Sequence, residues 1–150
     1  MVSQEVGFWD ASALVPLCIH ETRTPQARSY QRRFRQVVWW GSFLEVYSAI
    51  SRLHHASEIS DLDKANAVRR LQQMSGTWCE ILPEDRVRAL AMLSLDKYSL
   101  RAADSLQLSA SLVWCAERPS KRTFICADQR LAKAASAAGF SVIELLTSTP

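Results

Sequence analysis

Four carboxylates, Asp10, Glu45, Asp104 and Asp128, stand far apart along the chain at positions where they could do chemistry together. Brought to one place, they could not all stay ionised unaided. A hard divalent cation resolves that repulsion, and ligation by oxygen alone selects Mg2+ or Mn2+ over zinc. The chemistry such a centre supports is phosphodiester hydrolysis, with the cation lowering the pKa of an attacking water and stabilising charge in an in-line displacement. Asp10, Asp104 and Asp128 are the candidate metal ligands, directly or through water. Glu45 is the candidate to hold a metal-bound water or to act as its general base.

Each acid also has a plainer reading. Asp10 and Asp128 both follow strand-like runs and precede helical patterns, where Asp is a favoured N-cap. Glu45 falls in the first turn of a helix, where the dipole favours a carboxylate. Its helical neighbours Ser42, Ser48 and Ala49 are all small and leave space around its head group. Asp104 sits in an apolar segment, Leu100–Cys115, whose other charge is Arg101. An ionised carboxylate buried there is expensive unless paired, so Arg101 competes with a shared metal as its partner.

The elements that must position these acids follow from patterning. Val6–Trp9 reads as a buried strand closed by Asp10, and Ser12–His20 as a helix shortened or kinked by Pro16. Thr24-Pro25 opens a helix that continues over Gln26–Gln36, and Val37–Trp40 is a strand ending at Gly41. Ser42 is expected to cap a helix to about His54, with Phe43, Val46, Tyr47, Ile50 and Leu53 forming its buried stripe. Ser60 and Asp63 resemble a capping box opening a helix to Met74. Trp78–Leu82 is the next strand, followed by a helix from Pro83 to about Lys97 and one over Leu100–Cys115 capped by Ser99. Thr123–Ala127 is a strand, Asp128 starts a helix that Gly139 stops, and Ser141–Leu145 is an edge strand. Strands alternating with helices imply an α/β fold, a mostly parallel sheet covered on both faces. In such sheets ligands bind beyond the carboxyl ends of the strands, where Asp10 and Asp128 stand.

Length and composition narrow the classes. A chain of 150 residues favours a single domain over 1–150, and 48% hydrophobic with 22% charged residues excludes wholesale disorder. No run approaches the ~18 apolar residues of a membrane span. The amino-terminal MVSQEVGFWD lacks the basic and apolar regions of a secretory signal. The four cysteines, Cys18, Cys79, Cys115 and Cys126, form no C-x-x-C pair, and with His20, His54 and His55 they complete no zinc spacing. A reducing cytoplasm is the expected location. The net charge is only +3, yet 14 of the 18 cations are arginine, the residue suited to bidentate phosphate recognition.

The stretches WDASALVPL around Asp10, GSFLEVYSAISRL around Glu45, LRAADSLQLSASL around Asp104 and FICADQRLAKAASAAGFSVI around Asp128 resemble the PIN-domain ribonucleases. The likeness is nearest to the VapC-type toxins of bacterial toxin–antitoxin pairs, and the four stretches follow that family's order over nearly the whole chain. The resemblance implies a PIN-like α/β/α sandwich with an acidic pocket. It also implies Mg2+- or Mn2+-dependent endonucleolytic cleavage of RNA that leaves a 5′-phosphate. Asp10, Glu45, Asp104 and Asp128 match the family's acidic quartet, and Ser12 matches the small hydroxyl residue that follows its first aspartate. A homodimer and a small VapB-like antitoxin, whose carboxyl-terminal segment covers the acidic groove, are implied as partners. Two positions depart from the pattern: Gln107 stands where many relatives have histidine, and Cys126 where many have threonine.

Other features carry weaker expectations. Arg28, Arg32 and Arg33, within an arginine-rich run from Arg23 to Arg35, are candidates to hold an RNA backbone; a solvated helix face or an antitoxin contact is the alternative. Trp39 and Trp40 could stack bases, but both are expected to be buried between helices. Cys79, Cys115 and Cys126 read as core residues. A metal-free interaction module of the same fold is the competing function. Aspartyl phosphotransfer is disfavoured, because Asp10-Ala11-Ser12 lacks a second acid and Asp128 occupies the place where receiver domains keep a lysine.

Overall fold

The computed structural model describes residues 3–147. Five parallel strands, β1 (Glu5–Trp9), β2 (Phe34–Trp39), β3 (Cys79–Ile81), β4 (Thr123–Cys126) and β5 (Ser141–Glu144), form one sheet in the order β3-β2-β1-β4-β5. Every pairing is parallel, where the sequence had implied a mostly parallel sheet. Seven helices connect and flank the strands: α1 (Ala11–Cys18), α2 (Thr24–Arg33), α3 (Ser42–His55), α4 (Asp61–Ser75), α5 (Asp85–Lys97), α6 (Ala102–Trp114) and α7 (Gln129–Ala138). The architecture is an α/β/α sandwich.

Strand alternation sorts the core into two layers. Trp9, Val38 and Ile125 pack with Leu14, Val46, Ile50 and Leu71 from α1, α3 and α4. Their neighbours Phe8, Val37 and Phe124 point to the other face, against Leu108 of α6 and Leu131 and Ala135 of α7. Phe8 stacks on Phe124 across the β1–β4 pair with ring centroids 5.4 Å apart.

Local signals explain most boundaries. Asp10 caps α1 and Asp128 caps α7. Ser60 and Asp63 close the capping box of α4, and Gly139 ends α7 at φ 114°. Pro16 lies inside the short α1.

Several expectations are corrected. Strand β2 begins at Phe34, so α2 ends before Gln36. Neither Ser42 nor Ser99 is a helix cap: α3 is preceded by Gly41 and α6 by Arg101, and neither cap residue makes a side-chain bond to its helix. Tyr47 falls on the exposed side of the α3 stripe, while Val46 and Ile50 are buried. Cys79 is exposed on the edge strand β3, whereas Cys18, Cys115 and Cys126 are buried. Trp39 is buried, but Trp40 lies one residue past the strand, outside its alternation, and is 54% exposed.

Candidate active site

The strand order reverses direction of growth between β1 and β4, which makes their carboxyl ends the topological switch point where open parallel sheets bind ligands. Asp10 is the residue after β1, and Asp128 follows β4 by two. The two strand ends are tied together. The Asp10 backbone N–H donates to the Ile125 carbonyl at 2.9 Å, and the Ala127 N–H donates to Ser12 Oγ at 2.8 Å. The Ser12 hydroxyl in turn donates to Asp10 Oδ2, which also accepts from the Ser12 N–H at 3.1 Å. Ser12 thus bridges both loops and fixes the Asp10 carboxylate, and among the described residues Asp10 Oδ1 accepts no hydrogen bond.

Glu45 comes to this point from the first turn of α3, and Asp104 from the first turn of α6. Helix α6 packs against α5, α7, β2 and β3, which carries its amino-terminal turn to the carboxyl end of the sheet. Burial pushes the Asp10 carboxyl up to about 7 from its usual 3.8; the Ser12 hydrogen bonds oppose this, and the charges of Glu45 and Asp104 add to it. Burial also raises Glu45, against a hydrogen bond from Gln107, and Asp104 adds repulsion. Asp104 is raised by burial and then by Asp128, while Arg101 and Arg130 draw it down. Asp10, Glu45 and Asp104 are therefore linked by mutual repulsion, and Asp128 joins them through Asp104.

Cation pairing does not account for them. Among the described residues, no ion pair involves Asp10, Glu45, Asp104 or Asp128. Arg101, the expected partner of Asp104, eases its charge without forming a contact pair. The capping roles of Asp10 and Asp128 are real, but each is met by one oxygen: Asp128 Oδ1 accepts from the Leu131 N–H at 2.7 Å. The donor set, hard oxygens carrying uncompensated charge, fits Mg2+ or Mn2+. Its ligating geometry is not drawn tight, because among the described residues no three His, Cys, Asp or Glu side chains lie close enough to hold an ion.

Gln107 is fully buried, and its Nε2 donates to Ser42 Oγ at 2.9 Å and to Glu45 Oε2 at 3.1 Å. Ser42 is buried, and as the first residue of α3 it lies one position past the cap. The amide oxygen of Gln107 has no partner. An orphaned buried acceptor costs about 1–3 kcal/mol, and here it is the consequence of turning the amide nitrogen toward a carboxylate. Gln107 is therefore a positioning residue for Glu45. The other departure, Cys126, puts a buried thiol beside the Asp128 carbonyl, 3.7 Å away.

Gln107→Leu keeps the volume and removes the donor. If the site cleaves RNA, kcat should fall on the order of tenfold, from one lost hydrogen bond to a charged group. The acid limb of the pH–rate profile should move upward, since that bond holds the Glu45 carboxyl down. Gln107→His, which retains an N–H donor, should restore most of the rate. An acid limb that stays in place would reduce Gln107 to packing.

The arginine-rich run spans the sheet. Arg23 donates to the Leu145 carbonyl just past β5, whereas Arg33 pairs with Glu5 at the amino end of β1 and Gln4 donates to the Gln31 and Arg32 carbonyls, so Arg32 and Arg33 sit at the opposite end of the strands from the acids. Arg28 is exposed midway along α2. The cations that act on Asp104 are Arg101 and Arg130. Arg130 follows Asp128 by two in the first turn of α7, a proximity readable from the sequence. Arg52 lies on the same side of α3 as Glu45, two turns on, and lines a groove with it.

No protein-family profile matches the sequence, and no curated protein matches it significantly. Among solved structures, the fold is similar to a chain of a toxin–antitoxin complex from Klebsiella pneumoniae, with a TM-score of 0.65 and 12% identity over 95% of this chain and 99% of that one. It is also similar to PAE2754 from Pyrobaculum aerophilum, with a TM-score of 0.57 and 19% identity over 94% of this chain and 90% of that one. At such identities residue roles do not transfer, and what the likeness shows is that this chain shares the α/β/α fold of those two proteins over nearly its whole length.

Proposed function

We propose that the chain is a divalent-metal-dependent endoribonuclease of the PIN type, the toxin of a VapBC-like toxin–antitoxin pair acting in the cytoplasm. The observation that carries this reading is the electrostatic linkage of Asp10, Glu45, Asp104 and Asp128 beside the switch point of the sheet, with no ion pair to any of them among the described residues. Such charge is expensive to bury, and a site that gathers it calls for a cation. The fold likeness to a chain of a toxin–antitoxin complex supports the pairing with an antitoxin. Among the described residues no helix is long and apolar enough to cross a membrane.

In this reading Asp10, Asp104 and Asp128 hold Mg2+ or Mn2+, which when bound supplies an acidified water and neutralises charge at the phosphate. The chain's own residues do the rest. Ser12 fixes the orientation of Asp10 and joins the β1 and β4 loops. Glu45, oriented by Gln107, accepts the proton of the attacking water. The water oxygen bonds to phosphorus as the bond to the 3′ oxygen breaks, leaving a 5′-phosphate and a 3′-hydroxyl. Arg101 and Arg130 flank the acids and would meet the phosphates on either side.

The competing reading, a metal-free interaction module, draws on the capping roles of Asp10 and Asp128 and on the open spacing of the acids. Purified protein incubated with total RNA in Mg2+ or Mn2+, and in chelator, separates the two. The nuclease should produce new 5′-phosphate ends only with the cation, and the absence of such ends in both cations would end the proposal. A homodimer is the expected assembly, and α5 turns Met92 and Leu93 to solvent as candidate contact residues.

A further inference from the structure

Beside the acids, a groove of about 730 Å³ runs between the end of β2, α3 and the first turn of α6. Ser12 and Glu45 line it, so it is continuous with the acidic cluster. Its apolar walls are Trp40, Leu44 and Leu106, and Arg52 lines it as well. The Trp40 backbone N–H donates to the Ile81 carbonyl at 3.0 Å, and the Trp40 indole stands 76° to that of buried Trp39 with centroids 6.4 Å apart. Gly41 permits this corner: a Cβ there would lie 2.5 Å from Trp39 Nε1. Arg52 bonds only to Ser48 Oγ, at 3.4 Å, and among the described residues it meets no carboxylate within ion-pair distance.

We infer that this groove is a nucleotide subsite, in which Trp40 stacks a base next to the scissile bond of a single-stranded RNA and Arg52 meets the adjoining phosphate. The inference rests on the nuclease reading and deepens it by assigning where the substrate strand leaves the acids. A half-exposed indole set edge-on to a buried one offers a π-face to any base, and a guanidinium free of acids suits a phosphate. A peptide is the other occupant an apolar groove could take. The free cation, and the continuity with a site built for a cation-bridged phosphate, favour the nucleic acid.

The test measures anisotropy of a 5′-labelled single-stranded oligoribonucleotide in Mg2+, on protein carrying Asp10→Asn to prevent cleavage. Adding Trp40→Leu should weaken binding about tenfold or more, while Trp40→Phe keeps most of the affinity. Arg52→Gln should lower the slope of log affinity against log salt by about one. In protein with Asp10 intact, Trp40→Leu should raise KM with kcat little changed. Unchanged affinity and KM for Trp40→Leu, or an equal loss with Trp40→Phe, overturns the subsite. If Asp10-dependent cleavage persists in that case, the nuclease reading survives. If unmodified protein neither binds nor cleaves RNA, both fail together. Loss of a protein partner by Trp40→Leu with RNA binding intact also overturns the subsite.

Discussion

Asp10→Asn should abolish RNA cleavage, by about 10³-fold or more, and yield a protein that is more stable than its parent in metal-free buffer at pH 8. Both effects come from one charge. Asn caps helices as well as Asp does, so the bond from the Ser12 N–H and the entry into α1 survive. What goes is an anion that is 3% exposed and faces Glu45 and Asp104. Losing one electrostatic contributor of this kind typically lowers kcat by 10²–10³-fold, and losing a metal ligand lowers it further. On the stability side, burial and repulsion at Asp10 destabilise the folded state by at most about 4 kcal/mol when the group is ionised. Removing that penalty should raise the metal-free Tm by up to roughly 8–16 °C in a chain of this size. Thermal melts in chelator and cleavage assays in Mn2+ measure the two halves. Were Asp10 a buried cap and nothing more, the stability gain would remain and cleavage would be unaffected.

The α/β alternation was legible because buried parallel strands and capped helices write short-range signals. Val6–Trp9 and Thr123–Ala127 show apolar runs closed by aspartates, and Asp128 with Gly139 brackets α7 to the residue. The start of β2 was not legible. Phe34-Arg35-Gln36 continues a helical composition from α2, but pairing with β1, Glu5 opposite Phe34 and Gly7 opposite Gln36, overrides local propensity. Gln36, expected at the end of a helix, is instead a buried strand residue that accepts from Trp78 Nε1 at 2.8 Å.

At the site, residue type showed which carboxylates lacked local partners, and strand ends showed where Asp10 and Asp128 would lie. That Asp104 comes within electrostatic reach of them depends on the long crossover from β3 through α5 and α6 to β4, which no local spacing records. Gln107 was visible as a departure from a family pattern, whereas its donation to Glu45 is a contact between residues 62 apart. Trp40 escaped because adjacent tryptophans suggest one continuous strand, and β2 in fact ends between them.

The pH dependence of stability should be inverted in metal-free buffer and restored by a divalent cation. Asp10 titrates near 3.8 unfolded and about 7 folded, and Glu45 and Asp104 are shifted in the same direction. Between pH ~4 and ~7 the folded state then binds more protons than the unfolded state, so stability falls as pH rises through that window. The Asp10 contribution is fully present below the unfolded pKa and is lost as pH passes the folded one, with a slope near 1.4 kcal/mol per pH unit at its steepest. A cation that binds the ionised cluster competes with those protons. Mn2+ at 100 times its Kd should add about 2.7 kcal/mol, or some 5–10 °C in Tm, at pH 8, and much less at pH 5. Asp10→Asn should erase most of both the inverted slope and the cation response. Calorimetry across pH 5–8 with chelator or Mn2+ decides among the readings. An inverted slope with no cation response leaves repelling acids without a metal site and favours the interaction module. A cation response that grows with pH and disappears with Asp10→Asn identifies the acids as ligands, because among the described residues no other carboxyl is as deeply buried as Asp10, which faces Glu45 and Asp104.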